Sequence, residues 1–394
     1  MDNSTVRRRS LIVTSRKRLD ITLADSNIVA FTAVSLFLPY VLTALILVFL
    51  SLYIIANKRT RSLIFIHNGT KALKYFFIYA MAVAFMYKNW MGLAATAVLI
   101  LGFVLGLFIR AVMTGELYER ILTLICNMSI TSTGFAGLEA LFNYIYDGKI
   151  NRRVSAVFLH PNYFGTVVAT VIIICAYKIL TGKDRRANYY LIGGLNLISL
   201  YLSMSMFAWI EVFIGILILL ALLHKHHLLA VWVLAGAAMA FLIFGLDLRL
   251  LPRLSLVDVT LRMRQQIWEQ AINTIKEAPW LGHGLLSYGF LFGVIYHGNL
   301  VPHAHNILID MLLNFGLAGT LMLVYYFAVY YYELVKAWLT NNKKNSENLV
   351  LIFAVSVAAF IHGMTDITLL WIQTLPLFLL ILAGCGRKPE PAAR

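Results

Sequence analysis

Two histidines and an asparagine near the end of a long polar segment are the residues whose types and spacing most clearly indicate chemistry. His303, His305 and Asn306 lie in the sequence VPHAHNILID, where a polar loop meets an apolar run. An imidazole exchanges protons near neutral pH, so either histidine could act as a general base. Asn306 is a favoured N-cap residue, and a cap directly after His305 would fix the position of that histidine. The segment therefore predicts a proton-transfer site at the mouth of a helix.

Arginines upstream of this segment suggest anion binding. Arg264 lies four residues before Trp268 in an amphipathic pattern over residues 261–278, so the two share a helix face, whereas Arg262 points elsewhere. Arg153 precedes the sequence HPNYFG at residues 160–165. A guanidinium binds phosphate through a planar fork of several donors. Ordinary loop charge paired with lipid phosphates is the alternative interpretation.

The elements that position these residues are apolar helices. The chain has 394 residues, of which 60% are hydrophobic and 13% charged, and its mean hydropathy is +0.79. A soluble protein of this size carries about twice that share of charge. We therefore predict an all-α, polytopic integral membrane protein, formed by a single transmembrane domain over residues 1–394. Much of the net charge of +15 sits in short loops, where it sets orientation rather than indicating a nucleic-acid partner.

Basic residues in the connectors predict the topology. Clusters near the N-terminus and at residues 58–61 read as cytoplasmic, so an even number of spans separates them. Continuing the alternation gives twelve spans, both termini in the cytoplasm, and a long external loop over residues 247–305 that contains a short amphipathic helix. The predicted spans are two short helices split at Pro39 within residues 21–57, followed by 72–87, 90–112, 117–144, 163–180, 189–203, 207–223, 228–246, 306–335, 349–361 and 367–382.

Several motifs in order resemble a known family. Residues 262–284 read RMRQQIWEQAINTIKEAPWLGHG, and residues 303–321 read HAHNILIDMLLNFGLAGTL. Arg153 with HPNYFG is similar to an Arg-then-Pro-Asn segment of the family, and HGMTD at residues 362–366 is similar to its near-terminal motif. From about residue 151 to the C-terminus, the chain resembles the O-antigen ligase and O-antigen polymerase superfamily of bacterial polysaccharide assembly.

The resemblance implies a GT-C-like membrane glycosyltransferase in the bacterial cytoplasmic membrane, with its active site on the periplasmic or extracellular side. Such enzymes move a glycan from an undecaprenyl-diphosphate carrier to an acceptor hydroxyl with inversion, without a cofactor or an obligatory metal. We expect a polymerase of O-antigen, capsule or exopolysaccharide, because nothing in the chain looks like an added acceptor-docking domain. The expected partners are the carrier-linked oligosaccharide, an acceptor glycan or glycolipid, membrane lipids and a chain-length regulator, with no nucleic acid.

The resemblance also implies roles for individual residues. His305 is expected to be the catalytic base, with His303 as the other catalytic histidine. Arginines are expected to hold the diphosphate, and three residues are expected to support the site. The arginines are Arg153, Arg264 and Arg262, and the supporting residues are Asn162, Asn306 and Asp366. No metal is expected at His303 and His305, because no cysteine or nearby carboxylate pair completes a ligand set.

Other functions remain open in the sequence. A ligase that transfers the glycan to lipid A-core or another acceptor uses the same motifs. A transporter or flippase would more often show internal repeats and broken helices, and neither is visible here. Met206 stands where the family often has arginine, so a non-catalytic scaffold is a third interpretation. Glu139, Glu211 and Asp310 lie at or near membrane depth, where carboxylates are often functional, but the sequence gives them no partners.

Overall fold

The computed structural model describes residues 22–67, 69–148, 152–182, 186–246, 248, 257–293, 295–296, 299–340 and 347–385. α-Helices dominate these residues, and one short antiparallel ladder pairs β1 (Ile295–Tyr296) with β2 (Asn299–Leu300). The helices are α1 Leu23–Ser35, α2 Tyr40–Ala56, α3 Lys58–Leu63, α4 Thr70–Met86, α5 Trp90–Val112, α6 Gly115–Asp147, α7 Pro161–Thr181, α8 Arg186–Ser203, α9 Met206–Leu222, α10 His226–Ala240, α11 Val257–Glu277, α12 Ser287–Phe292, α13 Ile307–Thr340, α14 Glu347–Gly363 and α15 Thr374–Leu382.

Several of these helices are long and apolar enough to cross a membrane. They are α5, α6, α7, α13, and α10 together with its π-helical extension to Gly245. The helices α1, α2, α9 and α14 are apolar but shorter. The prediction of a helical, polytopic membrane protein is therefore supported. The count of twelve spans and the orientation of the chain stay predictions, and both termini lie outside the described residues.

Many of the predicted boundaries match the structure. Pro39 separates α1 from α2, as predicted, and stands at the N-cap of α2. The prediction for residues 90–112 coincides with α5, which begins where the Asn89 side chain accepts a hydrogen bond from the Gly92 amide. The polar span predicted at 117–144 is the long helix α6. Polar side chains of α6 pair with α8: the side-chain amide of Asn196 on α8 donates to Ser129 Oγ on α6 at 2.9 Å. Such interhelical hydrogen bonds replace the water that a membrane interior lacks.

Helix α13 is broken, which the sequence interpretation did not anticipate. Gly316 has φ 58° and ψ −171°, a backbone conformation outside the helical region. The segment PWLGHG fills the break: the His283 and Gly284 amides donate to the carbonyls of Leu313 and Asn314 at 3.0 and 2.8 Å. A Cβ on Gly316 would lie 2.4 Å from the carbonyl carbon of Trp280, so a side chain does not fit. The glycines of this turn thus allow close approach of backbone to backbone.

The last predicted span is shorter than expected. Residues 367–382 were predicted to be one span, but α15 has nine residues, or about 14 Å of helix. Turns occupy the stretch before it. Pro376 lies in the first turn of α15, and its ring would clash with the carbonyl four residues earlier if the helix began much sooner. The non-helical stretch before α15 is where part of the candidate site lies.

A small apolar cluster ties the loop helix α11 to the start of α13. Ile267 and Ala271 of α11 pack with Ala304 and Leu313, separately from the main core of the bundle. The apolar residues of α11 recur at three- and four-residue steps along one side of the helix, and that side is the one that docks. This docking confirms the predicted loop helix and brings Arg264 to the same region as His303 and His305.

Candidate functional site

The loop that carries the two histidines is held by the first residues of α13. Asn306 Oδ1 accepts from the amides of Leu308 and Ile309 at 3.0 and 3.2 Å, which is the predicted N-cap. The side-chain amide nitrogen of Asn306 also donates to the Met364 carbonyl at 2.9 Å. Asp310 Oδ1 accepts from the Ala304 amide at 2.9 Å, so this carboxylate anchors the loop. His305 has φ 50°, a conformation uncommon for a non-glycine residue and found often at functional sites.

His305 forms a carboxylate–imidazole dyad with Asp366. His305 Nδ1 lies 2.9 Å from Asp366 Oδ1. Burial acts to raise the pKa of Asp366, but the contact with His305 and the nearby His303 and Arg264 outweigh it, so the pKa lies well below its usual value. An ionised carboxylate only accepts hydrogen bonds, so Nδ1 carries the proton. The lone pair is therefore left on Nε2, and the His305 side chain keeps 24% exposure. This arrangement suits a general base.

His303 occupies a different electrostatic position. Its side chain is buried, and burial together with the neighbouring His305 lowers its pKa to about 3. Its Nδ1 accepts from the His305 amide at 3.3 Å, and its Nε2 lies 3.9 Å from Asp366 Oδ1. A neutral imidazole whose lone pair is already engaged has no nitrogen left to accept a further proton easily. The geometry therefore favours a supporting role for His303.

A chain of polar contacts links Arg153 to the dyad. The Arg153 guanidinium donates to Asn162 Oδ1 and, through Nε, to the Ser203 carbonyl at 3.1 Å. The Asn162 side-chain amide in turn donates to Asp366 Oδ2. Asn162 lies in the first turn of α7, which His160 caps by accepting from the Asn162 amide at 3.1 Å. The predicted supporting residues Asn162 and Asp366 are thus brought together with Arg153.

The loop that bears Arg153 is anchored by one of the unassigned carboxylates. Glu139 Oε2 on α6 accepts from the amides of Ser155 and Ala156 at 3.1 and 2.7 Å. The backbone turns sharply here, since Ala156 has φ 52°. Glu139 therefore has a structural role: it holds two backbone amides that lie two and three residues after Arg153. The turn places the guanidinium at the N-terminus of α7.

Arg264 enters the site from α11. It is 7% exposed, and its guanidinium carbon lies 4.8 Å from the centroid of the Phe207 ring. Burial lowers its pKa, while the carboxylate of Asp366 acts in the opposite direction. Its Nη1 is buried without a hydrogen-bond partner among the described residues. A buried cation with an unused donor is poised for an anionic ligand, because leaving it unpaired is costly.

Arg262 is not brought to this site. It lies on the exposed face of α11, as the helical pattern predicted for the residue that does not share a face with Trp268. Met206 begins α9 directly before Phe207. Two arginines flank the stretch in which the family often has arginine. Arg153 donates to the Ser203 carbonyl before it, and Arg264 lies over the Phe207 ring after it. Two cations therefore border the position at which the sequence lacks one.

Part of the chain matches a known family. Residues 191–324 match the family model Wzy_C, described as O-Antigen ligase. The predicted resemblance to the O-antigen ligase and polymerase superfamily is confirmed. Arg264, His303, His305 and Asn306 lie within this ligase-family match, whereas Arg153, Asn162 and Asp366 lie outside it.

A curated relative is similar over a stretch of comparable length. The "Exopolysaccharide production protein ExoQ" of Rhizobium meliloti (strain 1021) is 28% identical over 146 residues, which is 35% of this chain. The chain covers 33% of that relative, so it spans about a third of the length of the protein it matches.

Structure supplies a partner for another of the unassigned carboxylates. Glu211 on α9 is fully buried, and its Oε2 lies 2.6 Å from His362 Nδ1 on α14. Thr170 on α7 donates to Glu211 Oε1 at 3.3 Å. His362 lies one helical turn before Asp366, whose amide donates to the His362 carbonyl at 3.0 Å. Glu211, His362 and Thr170 thus connect α9, α14 and α7 one helical turn from Asp366.

Sequence reasoning missed several contacts in the site. The aromatic residues Phe207, Tyr163 and Trp371 gave no signal, because they lie in apolar runs where core packing is the ordinary role. Asp366 also supplies a third metal-ligand atom that the sequence did not associate with the two histidines. His303, His305 and Asp366 offer ligand atoms within 4.8 Å of one another. The adjacent Arg264 places positive charge beside that group, which opposes binding of a divalent cation.

Proposed function

We propose that this protein is an inverting glycosyltransferase that moves a glycan from an undecaprenyl-diphosphate carrier to an acceptor hydroxyl. One observation carries the proposal: the His305–Asp366 dyad, with a free Nε2, lies beside the buried guanidinium of Arg264, whose Nη1 has no hydrogen-bond partner among the described residues. The first feature suits proton abstraction, and the second suits a phosphate leaving group. The ligase-family match supports this substrate class.

The proposed step is a single displacement. The acceptor oxygen attacks the anomeric carbon while its proton passes to His305 Nε2. The bond from the anomeric carbon to the phosphate oxygen breaks, and the carrier diphosphate leaves with the electron pair. Asp366 stabilises the imidazolium that forms. Arg264 and Arg153 stabilise the developing charge on the diphosphate, which is the role that fixed cations serve in a site of low dielectric.

Polymerisation is the favoured reaction within this class. No segment of the described chain stands apart from the helical bundle as an acceptor-docking domain, and the R. meliloti relative is named for exopolysaccharide production. A ligase reaction uses the same donor and differs only in its acceptor. Purified protein incubated with lipid-diphosphate glycan distinguishes them: a ladder of products on the carrier indicates a polymerase, and a conjugate formed only when a second acceptor is added indicates a ligase.

A transporter is less well supported, despite the broken helix. In transporters, the broken ends of a helix face a substrate or an ion. Here the free amides and carbonyls around Gly316 pair with the backbone of the PWLGHG turn, and the Tyr79 hydroxyl also donates to the Leu281 carbonyl at 2.8 Å. The break therefore serves packing. Release of diphosphate carrier on turnover, measured with the purified protein, separates transfer from transport.

A metal-dependent mechanism, in which His303, His305 and Asp366 serve as metal ligands, is the competing hypothesis. Chelator treatment tests it: we expect turnover and donor binding to be unaffected. Loss of turnover that added divalent cation restores would contradict the dyad mechanism.

The proposed location of the site is the outer face of the membrane. Glu269 on α11 and Lys225 before α10 are both exposed and fall on opposite sides of the predicted topology. In intact cells, an impermeant thiol reagent should label Glu269→Cys and leave Lys225→Cys unlabelled until the cells are permeabilised. The opposite pattern would reverse the orientation.

A further inference from the structure

Five aromatic rings form a continuous row that ends at the dyad. The centroid distances between neighbouring rings are 5.5, 4.8, 6.3 and 4.5 Å. In order, the members of this ring row are His160, Tyr163, Trp371, His303 and His305. They come from three separate parts of the chain, the start of α7, the turns before α15 and the loop before α13, so no sequence pattern joins them.

The rings of this row are held in fixed orientations. Trp371 stacks on Tyr163 with an interplanar angle of 30°, and its indole Nε1 donates to the Ile367 carbonyl at 3.0 Å. His160 is fixed as the N-cap of α7. Because these side chains are set before any ligand arrives, they lose little conformational freedom on binding one.

The ring row runs from the surface to the base rather than through the core. His160 is exposed, Trp371 and His305 are half-buried, and only Tyr163 and His303 are buried. Hydrogen-bonding nitrogens stand at both ends, and apolar ring surface lies between them. A pyranose ring has the complementary character, with C–H groups on its faces and hydroxyl groups around its edge. Sites for such ligands combine apolar and aromatic walls with a few placed polar groups.

We propose that the ring row binds the acceptor glycan, with Trp371 as the surface against which a pyranose ring packs. This inference rests on the proposed function, which places the acceptor hydroxyl at His305. The row ends at that base. Arg264 lies instead on α11, over Phe207 of α9, and its Nη1, which has no hydrogen-bond partner among the described residues, suits the donor diphosphate. Trp371 therefore acts on acceptor affinity, and the arginines act on donor affinity.

The test measures transfer to a soluble acceptor. The acceptor is an oligosaccharide repeat released from the host's own polysaccharide, which carries neither lipid nor diphosphate, and the donor is the host's lipid-diphosphate glycan. The variants are Trp371→Leu, which keeps apolar bulk without a ring, and Trp371→Phe, which keeps a ring. Trp338→Leu is the matched control, since Trp338 is also half-buried with a ring neighbour, Phe353, but lies near the end of α13 remote from the dyad.

We expect Trp371→Leu to raise the acceptor KM by about 3- to 10-fold, the range that one aromatic contact typically contributes. The donor KM should not change, Trp371→Phe should lose less, and Trp338→Leu should behave as the unmodified protein. An unchanged acceptor KM, an equal shift in Trp338→Leu, or a shift in the donor KM alone would overturn the assignment to the acceptor.

Binding of the same oligosaccharide is measured separately by saturation-transfer difference NMR. Irradiation of aromatic protons in the unmodified protein should saturate the sugar C–H protons, and Trp371→Phe should reduce that transfer. No saturation in the unmodified protein would refute the proposal even if Trp371→Leu fails to fold. Trp371-dependent binding without any transfer would refute the glycosyltransferase function and leave the sugar site standing.

Discussion

Replacement of Asp366 by asparagine tests the dyad most sharply. The change keeps the size of the side chain but removes the charge that faces His305 Nδ1 at 2.9 Å. With an effective dielectric constant of about 20, the attraction between a carboxylate and an imidazolium at that distance is roughly 6 kcal/mol, an upper limit equivalent to about 10⁴-fold in rate. An asparagine amide can also donate to Nδ1, which would move the proton to Nε2 and block the base.

We therefore expect Asp366→Asn to lower kcat by about 10²–10⁴-fold, within the usual contribution of general-base catalysis. The assay is carrier-diphosphate release by purified protein at saturating donor. Asp25→Asn is a matched control, because Asp25 is equally buried and ion-paired, with Arg59, away from the site. A kcat for Asp366→Asn within about threefold of the unmodified protein, in a variant that elutes as a folded monodisperse species, would refute the reasoning.

The same geometry leads to three further predictions. Arg264→Ala should weaken donor binding by at least about tenfold. Arg264→Lys should weaken it by less, because it keeps the charge, but an ammonium cannot form the guanidinium fork and so does not restore full affinity. Arg262→Ala, at an exposed arginine of the same helix, is the control, and a donor affinity of Arg264→Ala equal to that of the control would remove Arg264 from the site. Because the pKa of His303 is lowered to about 3, the unfolded chain binds more protons below pH 6.5, so the free energy of unfolding falls as the pH falls. Between pH 6.5 and 4.5, His303→Gln should lose about 2 kcal/mol less of that free energy than the unmodified protein in unfolding titrations. Parallel curves for the two proteins would contradict a buried, neutral His303. Gly316→Ala should lower the thermal midpoint strongly because its Cβ would overlap Trp280, whereas Gly137→Ala, in open space on α6, should not; similar midpoints would mean that the helix break is not tightly packed.

Predictability from sequence followed the range of the interactions involved. The prediction for α5 matched the structure because an apolar run and the Asn89 cap are local features. The predicted start of the last span was wrong because Pro376 limits the helix through a steric clash that hydropathy does not register. The break at Gly316 depends on a loop more than thirty residues upstream, so the glycine alone did not reveal it.

The candidate site shows the same limit. The cap at Asn306 and the shared face of α11 were predictable from spacing. Contact between His305 and Asp366 joins residues 61 positions apart, and packing of α11 against α13 is what brings Arg264 near them. Motif order indicated that these residues act together, while the division of roles between His303 and His305 required the burial and hydrogen bonds of each ring.

One measurement tests the central claim most directly: glycan transfer and donor affinity in His305→Ala, with His303→Ala alongside. The proposal predicts that His305→Ala loses transfer by about 10²–10⁴-fold while donor affinity stays near that of the unmodified protein, since the arginines hold the diphosphate. His303→Ala should lose less. Near-normal transfer in His305→Ala, with transfer lost in His303→Ala, would exchange the two roles, and near-normal transfer in both variants would contradict the histidine-base mechanism.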